Sequence, residues 1–164
     1  TQGGKFRGAA VGSTAGFSYA AQVVEVEVDE DTGVIAVKQV WVAHDCGRAI
    51  NPLACEGQVQ GAVWMGMGQA LCEGVAFDAA SGQVMTGTFM DYGILRADEL
   101  PPFSIGHATD PTAGNLLGIK GGGEGGVVPA TAAVVNALCD ALGVEDLPMP
   151  AMRGAVWAAL SRRG

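Results

Sequence analysis

Between Phe17 and Val28 the chain settles into the alternation Val24-Glu25-Val26-Glu27-Val28, with valines on one face and carboxylates on the other. A period of two marks a half-buried strand. It predicts a strand over 17–28 and makes Glu25 and Glu27 its solvated face. Asp29-Glu30-Asp31-Thr32-Gly33 supplies turn chemistry, and the β-branched run from Val34 to Ala43 predicts a second strand, completing an antiparallel hairpin. His44 to Pro52 reads as a loop, with Pro52 placed to open a helix over 53–74. That helix is apolar almost all round (Val59, Val63, Trp64, Met65, Met67, Leu71), so it is expected to be largely buried.

Within the helix, Gly57, Gly61 and Gly68 fall at spacings of four and seven and share a face. A glycine in a helix interior costs about 0.5–1 kcal/mol relative to alanine, so something is expected to pack very close to that face. Gln58 and Gln69, three turns apart, also share a face. As buried amides they need partners, either neighbouring backbone or, for Gln58 beside Gly57, a polar ligand. Further on, Ser81-Gly82 marks a turn, 84–89 a short strand, 91–102 a loop with one helical turn, and 103–108 another strand. A second long helix starts near Val127, tolerates Pro129 in its first turn and stops at Gly143. A last short helix is expected over 151–160.

Strands and helices are interspersed without a regular βαβ rhythm or an internal repeat. The fold class is therefore α+β, a mixed or largely antiparallel sheet with two long helices packed on it. At 164 residues and 16.6 kDa the chain can bury a core, as one domain over 1–164 or as two closely packed lobes, 1–110 and 111–164. A first residue of Thr1 rather than Met predicts a fragment or a processed subunit.

Charge and cysteines narrow the partners. The net charge is −8, and the nine Lys and Arg are scattered, which argues against nucleic acid and against a polybasic membrane contact. No apolar stretch reaches membrane-spanning length. Cys46, Cys55, Cys72 and Cys139 have no CxxC spacing, which speaks against zinc and a disulfide framework and for thiols in a reducing cytoplasm.

The 26 glycines of the chain are densest in Gly118-Ile119-Lys120-Gly121-Gly122-Gly123-Glu124-Gly125-Gly126, where a carboxylate sits among glycines just before the second long helix. Two readings stand side by side: an exposed tight turn whose Glu124 is merely solvated, or a site. The phosphate-loop pattern fails because no Ser or Thr follows Lys120, and a dinucleotide fingerprint fails for want of a strand-turn-helix with a trailing acid. His44 and His107 are the only histidines, with no hydrolase triad or Cys/His dyad evident in sequence. A lone carboxylate near a helix N-terminus survives, and the dipole and burial acting on it in opposition can set a general base.

Three stretches together, Asp45-Cys46-Gly47-Arg48-Ala49-Ile50-Asn51-Pro52, Glu56 to Leu71 and Gly118 to Gly126, resemble the C-terminal part of the large, molybdenum-binding subunit of the xanthine oxidase family. The similarity extends through Met90-Asp91-Tyr92 and Leu147-Pro148-Met149-Pro150-Ala151. The resemblance implies a molybdenum-dependent hydroxylase or dehydrogenase that oxidises an aldehyde, aromatic heterocycle or similar electron-poor carbon with oxygen from water. It implies Glu124 as the base acting on a molybdenum-bound hydroxyl. It also implies Gln58, Gly57, Lys120, Gly121, Gly122 and Gly123 at the cofactor, with Lys120 anchoring the loop and Gly125 allowing close approach; none of these is a protein ligand of the metal. The implied cofactor is molybdopterin, as the cytosine dinucleotide, with molybdenum; iron–sulfur clusters, and FAD in flavin-containing complexes, lie on partner subunits. The implied partners are an upstream half of the same subunit, an iron–sulfur subunit and a flavin subunit. The alternative is a non-catalytic pterin-binding or structural assembly module of the same fold. A nucleotide-binding glycine loop is a weaker third reading.

Overall fold

The computed structural model describes residues 16–162. Strands β1 (Tyr19–Val28) and β2 (Ile35–Asp45) form the expected hairpin, in register from Tyr19↔Asp45 to Val28↔Ile35 with a bulge between Glu25 and Val26. Its tip works because Gly33 takes φ +68°, a region glycine enters without penalty. Asp29 Oδ1 accepts hydrogen bonds from the Thr32 amide and hydroxyl, both at 2.7 Å. Glu25 and Glu27 face water, with Glu27 2.8 Å from Lys38 Nζ. Strand β3 (Phe103–His107) joins the other edge of β2 in parallel, from Val40↔Phe103 to His44↔His107, so the sheet is mixed and ordered β1-β2-β3.

Helix α1 (Pro52–Leu71) packs against α2 (Val127–Leu142), which lies on β1; α3 (Arg153–Leu160) closes one end, where the Ala151 amide donates to the Ala70 carbonyl at 2.6 Å. Ala130, Val134, Leu138 and Leu142 recur every four residues along α2 and are all buried. They meet Val59, Val63 and Met67 of α1 and Val40 and Val42 of β2 in one core. Each such aliphatic side chain contributes about 1.5–3 kcal/mol on burial. As expected, α2 ends at Gly143, which is left-handed at φ 57°.

Four expectations are corrected. First, residues 84–89 do not form a strand; only the Phe77↔Val84 bridge is present, and with Met85 and Phe89 exposed no buried face rewards a ladder. Second, His44 and Asp45 belong to β2 rather than to the loop, because pairing with Ala20 and Tyr19 of β1, and at His44 also with β3, extends the strand through them. Third, α1 is buried on one side only: Leu53, Gly57, Gln58, Gly61, Met65 and Gln69 are exposed, so both glutamines keep access to solvent. Fourth, the close approach in α1 falls at a different glycine. Among the described residues a Cβ at Gly57 or Gly61 would meet nothing within 4 Å, whereas one at Gly66 would stand 2.5 Å from the Ala130 Cβ, and Gly68 faces the Glu73 carboxylate. Apolar composition around a helix does not tell which side the rest of the chain will cover.

Candidate functional site

The glycine loop is suspended between two anchors. At its start, residues 118–120 lie antiparallel to 46–48: the Arg48 amide donates to the Gly118 carbonyl at 3.0 Å, and the Lys120 amide to the Cys46 carbonyl at 2.9 Å. Gly47 and Gly118 both take φ +67°, and a side chain on Gly47 would run into the Gly118 carbonyl oxygen. Lys120 then turns inward, its side chain only 4% exposed. Its Nζ lies 2.6 Å from Asp45 Oδ2 and 3.1 Å from Asp110 Oδ2, and 5.5 Å from the centre of the Tyr19 ring. The hydrogen bond that Lys120 donates to the Asp45 carboxylate raises the Lys120 pKa above its ordinary value. Burial pushes the Asp45 carboxyl up, but the Lys120 ammonium and the Gly47 and Asp110 amides outweigh it and hold the group below the usual carboxylate range.

At the other end, Gly126 is buried against α1. A Cβ there would lie 2.7 Å from the Val59 carbonyl oxygen and 2.7 Å from the Ala62 Cβ, while Gln22 Nε2 of β1 donates to the Gly126 carbonyl at 2.7 Å. Helix α2 starts immediately afterwards, the Val127 amide donating to the Glu124 carbonyl at 3.1 Å. Between the anchors, Gln58 Nε2 donates to the Gly123 carbonyl at 2.8 Å. The backbone-bonding role foreseen for this glutamine and its place beside the loop are thus one contact. Helix α1 is aimed there by its own start: Asn51 Oδ1 accepts from the Ala54 amide at 3.2 Å and Pro52 occupies the first turn.

Glu124 is exposed and lines a cleft of about 420 Å³ together with Ser18, Ala20, Gly121, Gly123, Gly125, Val128 and Pro129. Among the described residues no donor engages its carboxylate. Among the described residues nothing covers the backbone of Gly57, Gly61, Gly121 or Gly123. Gly122 and Gly125 turn the other way, onto Cys46 and His44.

Those two side chains, with His107, form a cluster that the sequence reading missed. One donor atom from each lies within 4.8 Å of the others. The signal was available in two parts: His44 and Cys46 are two apart, hence on one side of an extended segment, and His107 is His44's register partner. Only the first part is visible before the parallel pairing of β3 is known. Burial lowers the His44 pKa, as does the neighbouring His107, with Asp45 opposing; burial pushes the Cys46 thiol up, aided by Cys55.

Residues 3–101 match the model of a family described as the molybdopterin cofactor-binding domain. The chain belongs to the molybdopterin cofactor-binding domain family. It is 43% identical over 126 residues to the nicotine 6-hydroxylase large subunit of Paenarthrobacter nicotinovorans, covering 77% of this chain and 15% of that protein. It is 35% identical over 139 residues to the carbon monoxide dehydrogenase large chain of Hydrogenophaga pseudoflava, covering 82% of this chain and 17% of that one. The crystal structure of a Cu,Mo carbon monoxide dehydrogenase in its carbon monoxide-reduced state superposes with a TM-score of 0.83 at 28% identity, over 88% of this chain and 18% of that chain. The chain therefore spans about a sixth of the length of these molybdenum-family relatives. No helix among the described residues is long and apolar enough to cross a membrane.

The open backbone fits a molybdopterin cofactor. Four glycines without a covered α-carbon, on one helix and one loop tied together by Gln58, form a cradle that side chains would fill.

Proposed function

We propose that this chain is the cofactor-facing C-terminal segment of a molybdenum hydroxylase and that Glu124 is its general base. The observation that carries this reading is the pairing of an exposed Glu124, at the rim of a cleft, with a glycine backbone held to α1 by Gln58. When bound, molybdopterin supplies the metal centre that takes up the electrons of the oxidation. Glu124 receives, on a carboxylate oxygen, the proton of the water that provides the product's oxygen. Gln58 fixes the loop and, with Gly57, Gly61, Gly121 and Gly123, would hold the pterin. Gly122 shapes the loop from behind, and Lys120 sets its height by its bond to Asp45.

The substrate is an electron-poor carbon of an aldehyde or aromatic heterocycle, the latter in keeping with the name of the nicotine 6-hydroxylase relative. An upstream half of the same subunit completes the pocket, the pterin is in its cytosine dinucleotide form, and iron–sulfur and flavin subunits carry electrons away. Four free cysteines agree with a reducing, cytoplasmic setting.

Replacing Glu124 by Gln in the complete enzyme tests the proposal. Molybdenum and pterin content should stay near normal while turnover falls about 10²–10⁴-fold, the usual worth of a positioned base. Retained turnover would overturn the assignment. Absence of molybdenum and pterin from the wild-type complex would favour a non-catalytic assembly module instead.

A further inference from the structure

His44, Cys46 and His107 have no part in the reading above, yet they are placed as few buried polar groups are. His44 is 1% exposed and Cys46 5%, and among the described residues none of the four ring nitrogens of the two histidines has a hydrogen-bond partner. Buried polar atoms in folded proteins are almost always satisfied, and each exception needs a reason. The imidazole rings stand 6.2 Å apart, edge to face, so they do not satisfy one another. What they share with the Cys46 thiol is a common focus: a donor atom from each residue within 4.8 Å of the other two.

We propose that His44, Cys46 and His107 bind a thiophilic first-row cation of the Zn(II) class. Two imidazoles and one thiolate are the donors such a cation prefers over oxygen. With metal–nitrogen bonds of about 2.0–2.1 Å and a metal–sulfur bond of about 2.3 Å, tetrahedral ligand atoms lie roughly 3.3–3.6 Å apart, so loading draws the donor atoms together by about 1.5 Å at most. On binding, Cys46 gives up its Sγ proton to solvent, and the cation takes its place. Glu56 Oε1 lies 3.9 Å from His107 Nε2, where a carboxylate can orient the ring. His44 and Cys46 also line a cleft of about 290 Å³ shared with Cys55, Gln58 and Lys120. That cleft is a route inward and gives room for a fourth, exogenous ligand. Because Gly122 and Gly125 rest directly on Cys46 and His44, a bound cation would stiffen the back of the glycine loop.

The test uses the native protein that carries this chain, freed of loosely held metal and then offered Zn(II) or, separately, Co(II). One Zn(II) per chain should survive gel filtration, and the Co(II) form should show a thiolate-to-cobalt charge-transfer band. Cys46→Ser should abolish that band, His107→Asn should weaken Zn(II) binding at least tenfold, and Glu56→Gln should weaken it about 10-fold or more. A wild-type Co(II) spectrum without thiolate character, or Zn(II) retention equal in wild type, Cys46→Ser and His107→Asn, would overturn the proposal. The wild-type spectrum requires no variant to fold. Molybdenum, counted in the same elemental analysis, reports the cofactor proposal separately.

Discussion

At the seam between α1 and α2 two glycines are filled from the other side: a Cβ at Gly66 would meet Ala130 at 2.5 Å, and one at Gly126 would meet the Val59 carbonyl oxygen at 2.7 Å. Across the width of the same helix and loop, Gly57, Gly61, Gly121 and Gly123 face nothing within 4 Å among the described residues. Both groups pay the same conformational cost, so both require a close neighbour to explain them. The seam supplies its own. For the outer group the neighbour is no described part of this chain, and a cofactor or a companion segment is what such backbone would admit.

The anchor that separates the two groups gives the largest expected effect. Lys120→Met leaves the Asp45 carboxylate, 8% exposed, without its cation, and stranding a buried charge is strongly destabilising. The urea midpoint of the 164-residue chain should fall further than for any glycine variant below. Asp45→Asn added to Lys120→Met should recover part of the loss, since it removes the stranded charge. A single Lys120→Met variant as stable as wild type would mean that the loop is not held at Asp45.

The filled glycines come next. Gly126→Ala forces a Cβ onto backbone and onto Ala62, and should cost about 1–3 kcal/mol by urea denaturation. Gly66→Ala meets a similar overlap but regains about 1 kcal/mol of helix propensity, so its net loss should be smaller, about 1 kcal/mol. Combining it with Ala130→Gly reopens the space. The double-mutant cycle should then show a favourable coupling of about 0.5–3 kcal/mol.

How much of this was legible beforehand depended on whether a signal was local. The hairpin was read from a period of two and from Asp29 and Gly33, the stop of α2 from Gly143, and the site loop from its density of glycines. The resemblance implied only that Gln58 and that loop share a cofactor; their direct hydrogen bond was out of reach, because nothing in residues 56–60 points to residue 123. Long-range facts were out of reach: the exposed side of α1, the tightness of Gly66 rather than Gly57, and the meeting of His44 with His107 across a parallel ladder. The expected strand over 84–89 failed for a related reason. Its β-branched and aromatic residues satisfy propensity, but no neighbouring strand offers it a ladder or a buried face.

The open glycines give the smallest change in stability and sharpen the comparison most. Gly57 and Gly61 lie inside α1, adopt no strained backbone and have room for a methyl group. Gly57→Ala and Gly61→Ala should each therefore stabilise the isolated chain by about 0.5–1 kcal/mol in urea, opposite in sign to Gly126→Ala. Natural sequences often leave stabilising substitutions unused, so the sign of this change shows only that the fold itself does not need bare backbone there; pterin content decides whether a ligand does. In the complete enzyme the same alanines should lower pterin content, because each methyl group occupies the space through which a ligand reaches the helix. If both alanines stabilise the chain and leave pterin content unchanged, the outer glycines have no ligand against them. If either destabilises the isolated chain, some described side chain moves into that space after all, and the two groups of glycines are of one kind.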